Sequence, residues 1–161
     1  MRRNPQPRLQ PLPAESLSAV WLTLHSDERF AVRANEMHYF RALAVALDDD
    51  LASLLLLKKL KLADEYPPLA LPSDIVALNS LVEFRIEREP IRFGRLIHPS
   101  HCRTSFAIDA DTRLGLGILG LRCGQTVLWP DEHGVLRELE VLRVDSAPRV
   151  KGGSGKRSLN S

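Results

Sequence analysis

Three consecutive carboxylates, Asp48-Asp49-Asp50, and an acid, hydroxyl and base in a row, Asp111-Thr112-Arg113, are the places where this chain groups side chains able to do chemistry. Carboxylate oxygens suit a hard cation, which usually keeps several of its waters. They equally suit the start of a helix. Consecutive Asp residues are poor inside a helix but good at its N-cap and first turn, where they meet unpaired amides and the positive dipole end. A second set, His98, His101, Cys102, Cys123 and His133, holds the imidazoles and thiols that zinc prefers. No pair in it has the Cys-x-x-Cys spacing and two members fall in expected turns, so a packed thiol and exposed histidines account for it. No Ser-His-Asp order, phosphate-binding glycine loop or carboxylate pair emerges, hence no enzyme signature, no cofactor and no metal site.

The elements that must position these residues are bounded by composition. The 161 residues suffice for one ordinary domain or a small domain with an appendage, and 44% hydrophobic with 26% charged residues is the balance of a soluble globular protein. The longest wholly apolar stretch, residues 54–57, is far too short for a membrane span. With two cysteines and no visible signal peptide, the expected setting is the reducing cytoplasm. Arg2, Arg3 and Arg8 in one tail and Arg149, Lys151, Lys156 and Arg157 in the other take the net charge from +2 to −5 once these seven are removed. An acidic body repels phosphate backbones, so a protein partner is expected and direct, specific DNA binding is not.

The chain reads as four parts: a proline-rich tail (1–13), a helical hairpin arm (14–70), a sheet domain (71–148) and a Gly-Ser-rich tail (149–161). Residues 14–25 are ambiguous between helix and strand. Ser26-Asp27-Glu28 is a plausible helix start, after which Met37, Phe40, Ala44 and Leu47 form a narrow apolar seam. The seam resumes at Leu51, Leu54, Leu55 and Leu62, giving two antiparallel helices of about 15–20 residues joined near the aspartates. One uninterrupted helix is the competing reading. Tyr66-Pro67-Pro68 ends the second helix. Beyond Asn79-Ser80 the period becomes two: Val82, Phe84 and Ile86 point one way, Glu83, Arg85 and Glu87 the other. Residues 91–98 read as the hairpin partner, 106–108 as a short strand, and 127–129 with 135–144 as a last hairpin. Thr112 caps a brief helix, residues 113–119, that stops at Gly120. The fold class is α+β, an antiparallel sheet with one short helix behind a helical hairpin.

The segments LPSDIVALNSLVEF, RLIHP and GILGLRCGQTVLWPDEHGVLRELEVLRV resemble the C-terminal domain of the bacterial Gre family of transcription factors, and most of all its Rnk branch, the so-called regulators of nucleoside diphosphate kinase. The resemblance covers residues 71–145 and agrees only in kind before them. It implies an FKBP-like sheet domain that docks on RNA polymerase near the secondary channel, and a short coiled coil directed at that channel. In the family the loop before the short helix contacts the polymerase. Here Asp111 and Thr112 match, and Arg113 replaces a proline. Carboxylates at the coiled-coil tip of cleavage factors help hold a catalytic Mg²⁺. Rnk-like members have a shorter arm and are not expected to reach, so Asp48, Asp49 and Asp50 read here as helix-cap residues at the arm tip.

The expected function is that of a non-catalytic, monomeric regulator of transcription elongation competing with Gre-type factors. Two other classes stand beside it. An FKBP-like sheet suggests a prolyl isomerase, but an aromatic-lined pocket is hard to furnish when Phe84, Phe93 and Phe106 are needed for the core. An adaptor could dimerise through LASLLLLKKLKL, which is apolar on more than one face and must be covered.

Overall fold

The computed structural model describes residues 12–99 and 106–145, so the two tails lie outside the described residues except for Leu12 and Pro13. Helix α1 (Ala14–Leu24) settles the ambiguous first segment: Leu17, Trp21 and His25, four residues apart, all turn inward. Ser26 and Asp27 do not start a helix but form the turn that follows α1. Phe30, Ala31 and Val32 are buried in succession and form strand β1 (Phe30–Arg33). Its partner is β2 (Ala63–Tyr66), in parallel, with Phe30 opposite Ala63. A parallel pair needs a crossover. Two helices, α2 (Ala34–Ala46) and α3 (Asp50–Lys61), supply it. The second helix therefore ends before Leu62, short of the prolines, because residues 63–66 are drawn into the pair with β1.

At 13 and 12 residues, these helices are shorter than expected, about 20 and 18 Å long. Met37, Phe40 and Ala44 of α2 face Leu51, Leu55, Leu56 and Leu60 of α3 in the core. Asp49 is the N-cap of α3, its carboxylate accepting from the Ala52 amide at 3.1 Å. This is the helix-start chemistry that the aspartates suggested.

The main sheet has five strands in the order β5-β4-β3-β7-β6. They are β3 (Leu81–Ile86), β4 (Arg92–Ile97), β5 (Ala107–Asp109), β6 (Thr126–Pro130) and β7 (Leu136–Asp145). Pairing is antiparallel except between β4 and β5, which run parallel, a departure from an all-antiparallel sheet. The short strand comes back parallel to β4 and leads, through Ala110 to Thr112, into α4 (Arg113–Ile118). Gly120, at φ 80°, reverses the chain after α4 and brings its carbonyl to the Ala31 amide of β1 at 3.2 Å.

Helices and sheet share one core. The Trp21 ring lies 6.0 Å from Phe30 and meets Trp129 edge-on at 5.7 Å, while Val82, Phe84, Leu116, Leu139 and Val141 complete the cluster. The helical hairpin thus lies on the sheet domain instead of projecting from it. Phe84 is a core residue. Phe93 and Phe106 are not: they stack on each other at 4.7 Å and stay half exposed.

Candidate functional site

Helix α4 begins with Thr112, whose Oγ1 accepts from the Gly115 amide at 3.1 Å and donates to the Asp109 carbonyl at 2.7 Å. The next residue reaches across the fold. Arg113 Nε and Nη2 donate to the two carboxylate oxygens of Asp49 at 2.6 and 3.0 Å, and Nη1 donates to the Asp131 carbonyl. A bidentate guanidinium–carboxylate pair fixes geometry as well as charge. It joins the α2–α3 connection to the start of α4, residues 64 positions apart in the chain. The bond to Arg113 chiefly holds the Asp49 carboxyl below its usual range, against partial burial, and the same bond raises the Arg113 value.

Asp131 organises the turn between β6 and β7. Its carboxylate accepts from the amides of His133 and Val135 at 2.8 and 3.0 Å and from Arg137 Nε at 2.6 Å. Desolvation opposes ionisation there, but Arg137 and the two amides outweigh it and bring the carboxyl to about 2. The Trp129 indole donates to the Arg113 carbonyl at 2.6 Å.

The far end of α4 is held by Lys59. This lysine is 1% exposed, and its ammonium donates to the carbonyls of Leu116 and Gly117 at 2.7 and 2.8 Å. It also lies 5.2 and 5.0 Å from the Phe30 and Trp129 ring centres. A cation beside the last carbonyls of a helix meets the negative dipole end. Burial drives the Lys59 pKa well below the ordinary lysine value. In the sequence Lys59 looks like one more exposed member of LLKKLK; only its i, i+4 spacing from Leu55 hints otherwise.

Between α4, β3 and the β6–β7 turn lies a cleft of about 530 Å³. Ile86, Leu114, Leu139 and Trp129 form its apolar floor, and Arg92, Arg113, Arg137, Asp49, Asp131 and Glu132 its rim. The edge strand β6 is sealed on the other side by α1. His25 Nδ1 donates to the Trp21 carbonyl at 2.8 Å and Nε2 accepts from the Leu128 amide at 3.1 Å, while the Trp21 indole donates to the Leu128 carbonyl at 2.6 Å. An imidazole that must both donate and accept is neutral. Burial, aided by Lys59, lowers the His25 pKa against the opposing pull of the Trp21 carbonyl and Glu28.

The two groups singled out from sequence therefore meet. Arg113 of the loop holds Asp49 of the aspartate run, whereas Asp48, Asp50, Asp111 and Thr112 are exposed. The aspartates stand against the sheet domain, not at a free tip. Of the zinc-type residues, Cys123 is exposed, not packed, with Sγ donating to the Leu142 carbonyl at 3.1 Å, and the His98 ring lies 4.8 Å from Tyr39. His101 and Cys102 lie outside the described residues. Among the described residues no three His, Cys, Asp or Glu side chains are grouped to hold a metal ion, and no helix is long and apolar enough to cross a membrane.

No protein-family model matches the chain. Over 87 residues it is 32% identical to the "Regulator of nucleoside diphosphate kinase" of Escherichia coli strain K12, and the protein of that name from Shigella flexneri matches equally. The matched stretch is 53% of this chain and 64% of those relatives, so the chain spans less than two thirds of their length. Among solved structures, the "Prokaryotic transcription elongation factor GreA/GreB from Nitrosomonas europaea" superposes with a TM-score of 0.53 at 24% identity, over 73% of this chain and 98% of that one. The chain is thus similar to the regulators of nucleoside diphosphate kinase over that stretch, on a fold of the Gre-factor type.

Proposed function

We propose that this chain is a non-catalytic regulator that binds RNA polymerase near the secondary channel and competes there with Gre-type factors. The observation that carries this reading is the fold shared with a bacterial transcription elongation factor. Asp111 offers an exposed acid on the loop leading into α4, beside Thr112, whose hydroxyl is engaged with the Asp109 carbonyl and the Gly115 amide and holds the loop. Arg113 is spent on Asp49 and Asp131, so in this reading it shapes the contact loop and does not itself meet the partner. A hairpin bound to the sheet domain would cover the channel entrance without carrying carboxylates inward, and Asp49 has both oxygens engaged. The protein acts as a monomer in this account, because Leu51, Leu55, Leu56 and Leu60 of α3 are taken up in the shared core and Leu57 is the one exposed leucine of that helix, too little for a dimer seam. Prolyl isomerase activity is disfavoured in this reading, because Trp129, nearly fully buried in the floor, is the single aromatic residue among those lining the cleft.

Capture of purified polymerase core at low salt, with a Gre factor as positive control, tests the proposal; absence of binding removes it. Asp111→Arg weakens the capture by reversing the charge on the contact loop. An unchanged affinity would move the interface elsewhere.

A further inference from the structure

Helix α4 ends without the usual continuation of its ladder. A further turn would present the amides of Gly120 and Leu121 to the carbonyls of Leu116 and Gly117. Instead Gly120 donates to the Val76 carbonyl at 3.0 Å and Leu121 to the Ile118 carbonyl at 3.2 Å. The reversal at Gly120 that sends its own carbonyl to Ala31 of β1 is what takes these amides away. Leu116 and Gly117 are buried, and a buried carbonyl with no donor is costly. Lys59 Nζ donates to both, at 2.7 and 2.8 Å, and so supplies from α3 what the backbone of α4 no longer does.

The grip extends to the other end of α4. Asp49 is the N-cap of α3 and Lys59 lies in its last turn, about 15 Å further along the axis. Asp49 takes the Arg113 guanidinium at the start of α4, and Lys59 takes the carbonyls near its end. A helix of six residues is thus held at both ends by one longer helix. Trp129 joins the two grips, because its ring lies 5.0 Å from the ammonium while its indole donates to the Arg113 carbonyl. A direct path also leads to the loop in front of α4. The Leu116 amide donates to the Thr112 carbonyl at 2.9 Å, so the residue that Lys59 holds by its carbonyl is bonded through its amide to Thr112, next to Asp111.

We propose that Lys59 is a positioning residue for the Asp111–Thr112 loop, fixing where that loop stands through its two bonds to the end of α4. The placement is a property of the chain alone, and its consequence for polymerase rests on the function proposed above. Lys59→Met is the test, since it keeps an apolar stem between the Phe30 and Trp129 rings and removes every donor. Amide exchange and residual dipolar couplings are read on the full chain. Protection at Leu116, Leu119 and Gly120 is expected to fall about tenfold, the loss of roughly one hydrogen bond, while β3 and β7 keep theirs. The couplings of residues 111–118 should change together. Lys59→Gln, one atom shorter and still a donor, is read beside it and should show the same local change in smaller measure. Protection lost evenly across the sheet, or unchanged couplings over 111–118, would make Lys59 a general core residue and overturn the proposal. Scalar couplings from Lys59 Nζ to the Leu116 and Gly117 carbonyl carbons are sought in the unsubstituted chain, and their absence would overturn it as well. In polymerase capture, Asp111→Arg should cost less affinity in Lys59→Met than in the native chain; the same cost in both would mean that the loop is placed without the lysine. If the native chain captures no polymerase, the proposed function fails while exchange and couplings still decide the role of Lys59.

Discussion

Replacing Gly115 with alanine separates local helix preference from the packing described above. Inside a helix, Gly→Ala ordinarily stabilises by about 1 kcal/mol. Here the added Cβ would collide with the Asp109 carbonyl oxygen and press the Ala110 Cα at 3.1 Å, both backbone atoms that cannot rotate away. Strand β5 cannot yield easily, because it is paired with β4 and the Ala110 amide is bonded to the Ile97 carbonyl at 2.9 Å. Helix α4 must move instead, and its displacement loosens the bonds from Lys59 to Leu116 and Gly117 and from Trp129 to Arg113. Overpacking typically costs about 1–3 kcal/mol and each of the three loosened bonds about 1 kcal/mol more, so a net loss of about 3–5 kcal/mol remains after the propensity gain. At about 2–4 °C per kcal/mol for a chain of this size, that lowers Tm by roughly 6–20 °C. Urea unfolding of Gly115→Ala beside Gly124→Ala is the assay. Gly124 has φ 88° and open space where an added Cβ would stand, so it isolates the left-handed backbone cost, about 1 kcal/mol. Equal losses in the two variants, or a gain in Gly115→Ala, would refute the packing of α4.

Arg113→Ala removes the Asp49 pair and the bond to Asp131; the site is partly exposed, so the expected loss is about 1–2 kcal/mol in urea unfolding, and Arg113→Lys should recover little because the two-pronged geometry is gone. With Arg113→Ala the Asp49 carboxyl should titrate higher by NMR, since that partner chiefly holds it down. His25 predicts an acid-side decline. Its folded pKa is lowered, so its contribution is fully present above the unfolded value of about 6.5 and is lost as pH falls from there through the folded value, levelling below it. Urea midpoints against pH, with the His25 ring followed by NMR, check this; a ring titrating above 6.5 contradicts the buried neutral tautomer. In the polymerase capture, Asp111→Arg should lower affinity without changing the unfolding midpoint, because Asp111 is exposed.

The strands of the main sheet were legible because their pattern is local. Val82 and Phe84 alternate with wetter neighbours, and the β6–β7 hairpin shows its turn in Pro130 to Gly134. The N-cap of α3 was legible for the same reason, since Asp49 acts three residues along the chain. Strands β1 and β2 were not: FAVR and ADEY are four residues each and become strands only by pairing across 33 positions. Phe93 and Phe106 look like core residues by type, yet Phe93 sits on the β4 face opposite Gly94 and Leu96 and pairs with Phe106 outside the core. At the site, Asp49 and Arg113 were each recognisable as residues at helix starts. Their mutual bond depends on where α4 and the helical hairpin come to rest, which no local spacing encodes.

The placement of that hairpin end against the sheet domain is tested most directly by pulsed electron resonance between nitroxides on Asp48→Cys and Glu132→Cys, in a chain with Cys102→Ser and Cys123→Ser. A single narrow, short distance is predicted, since Asp49 and Glu132 line the same cleft. A distance longer by about 18 Å, the length of α3, would mean that the hairpin stands away from the sheet and would contradict the account.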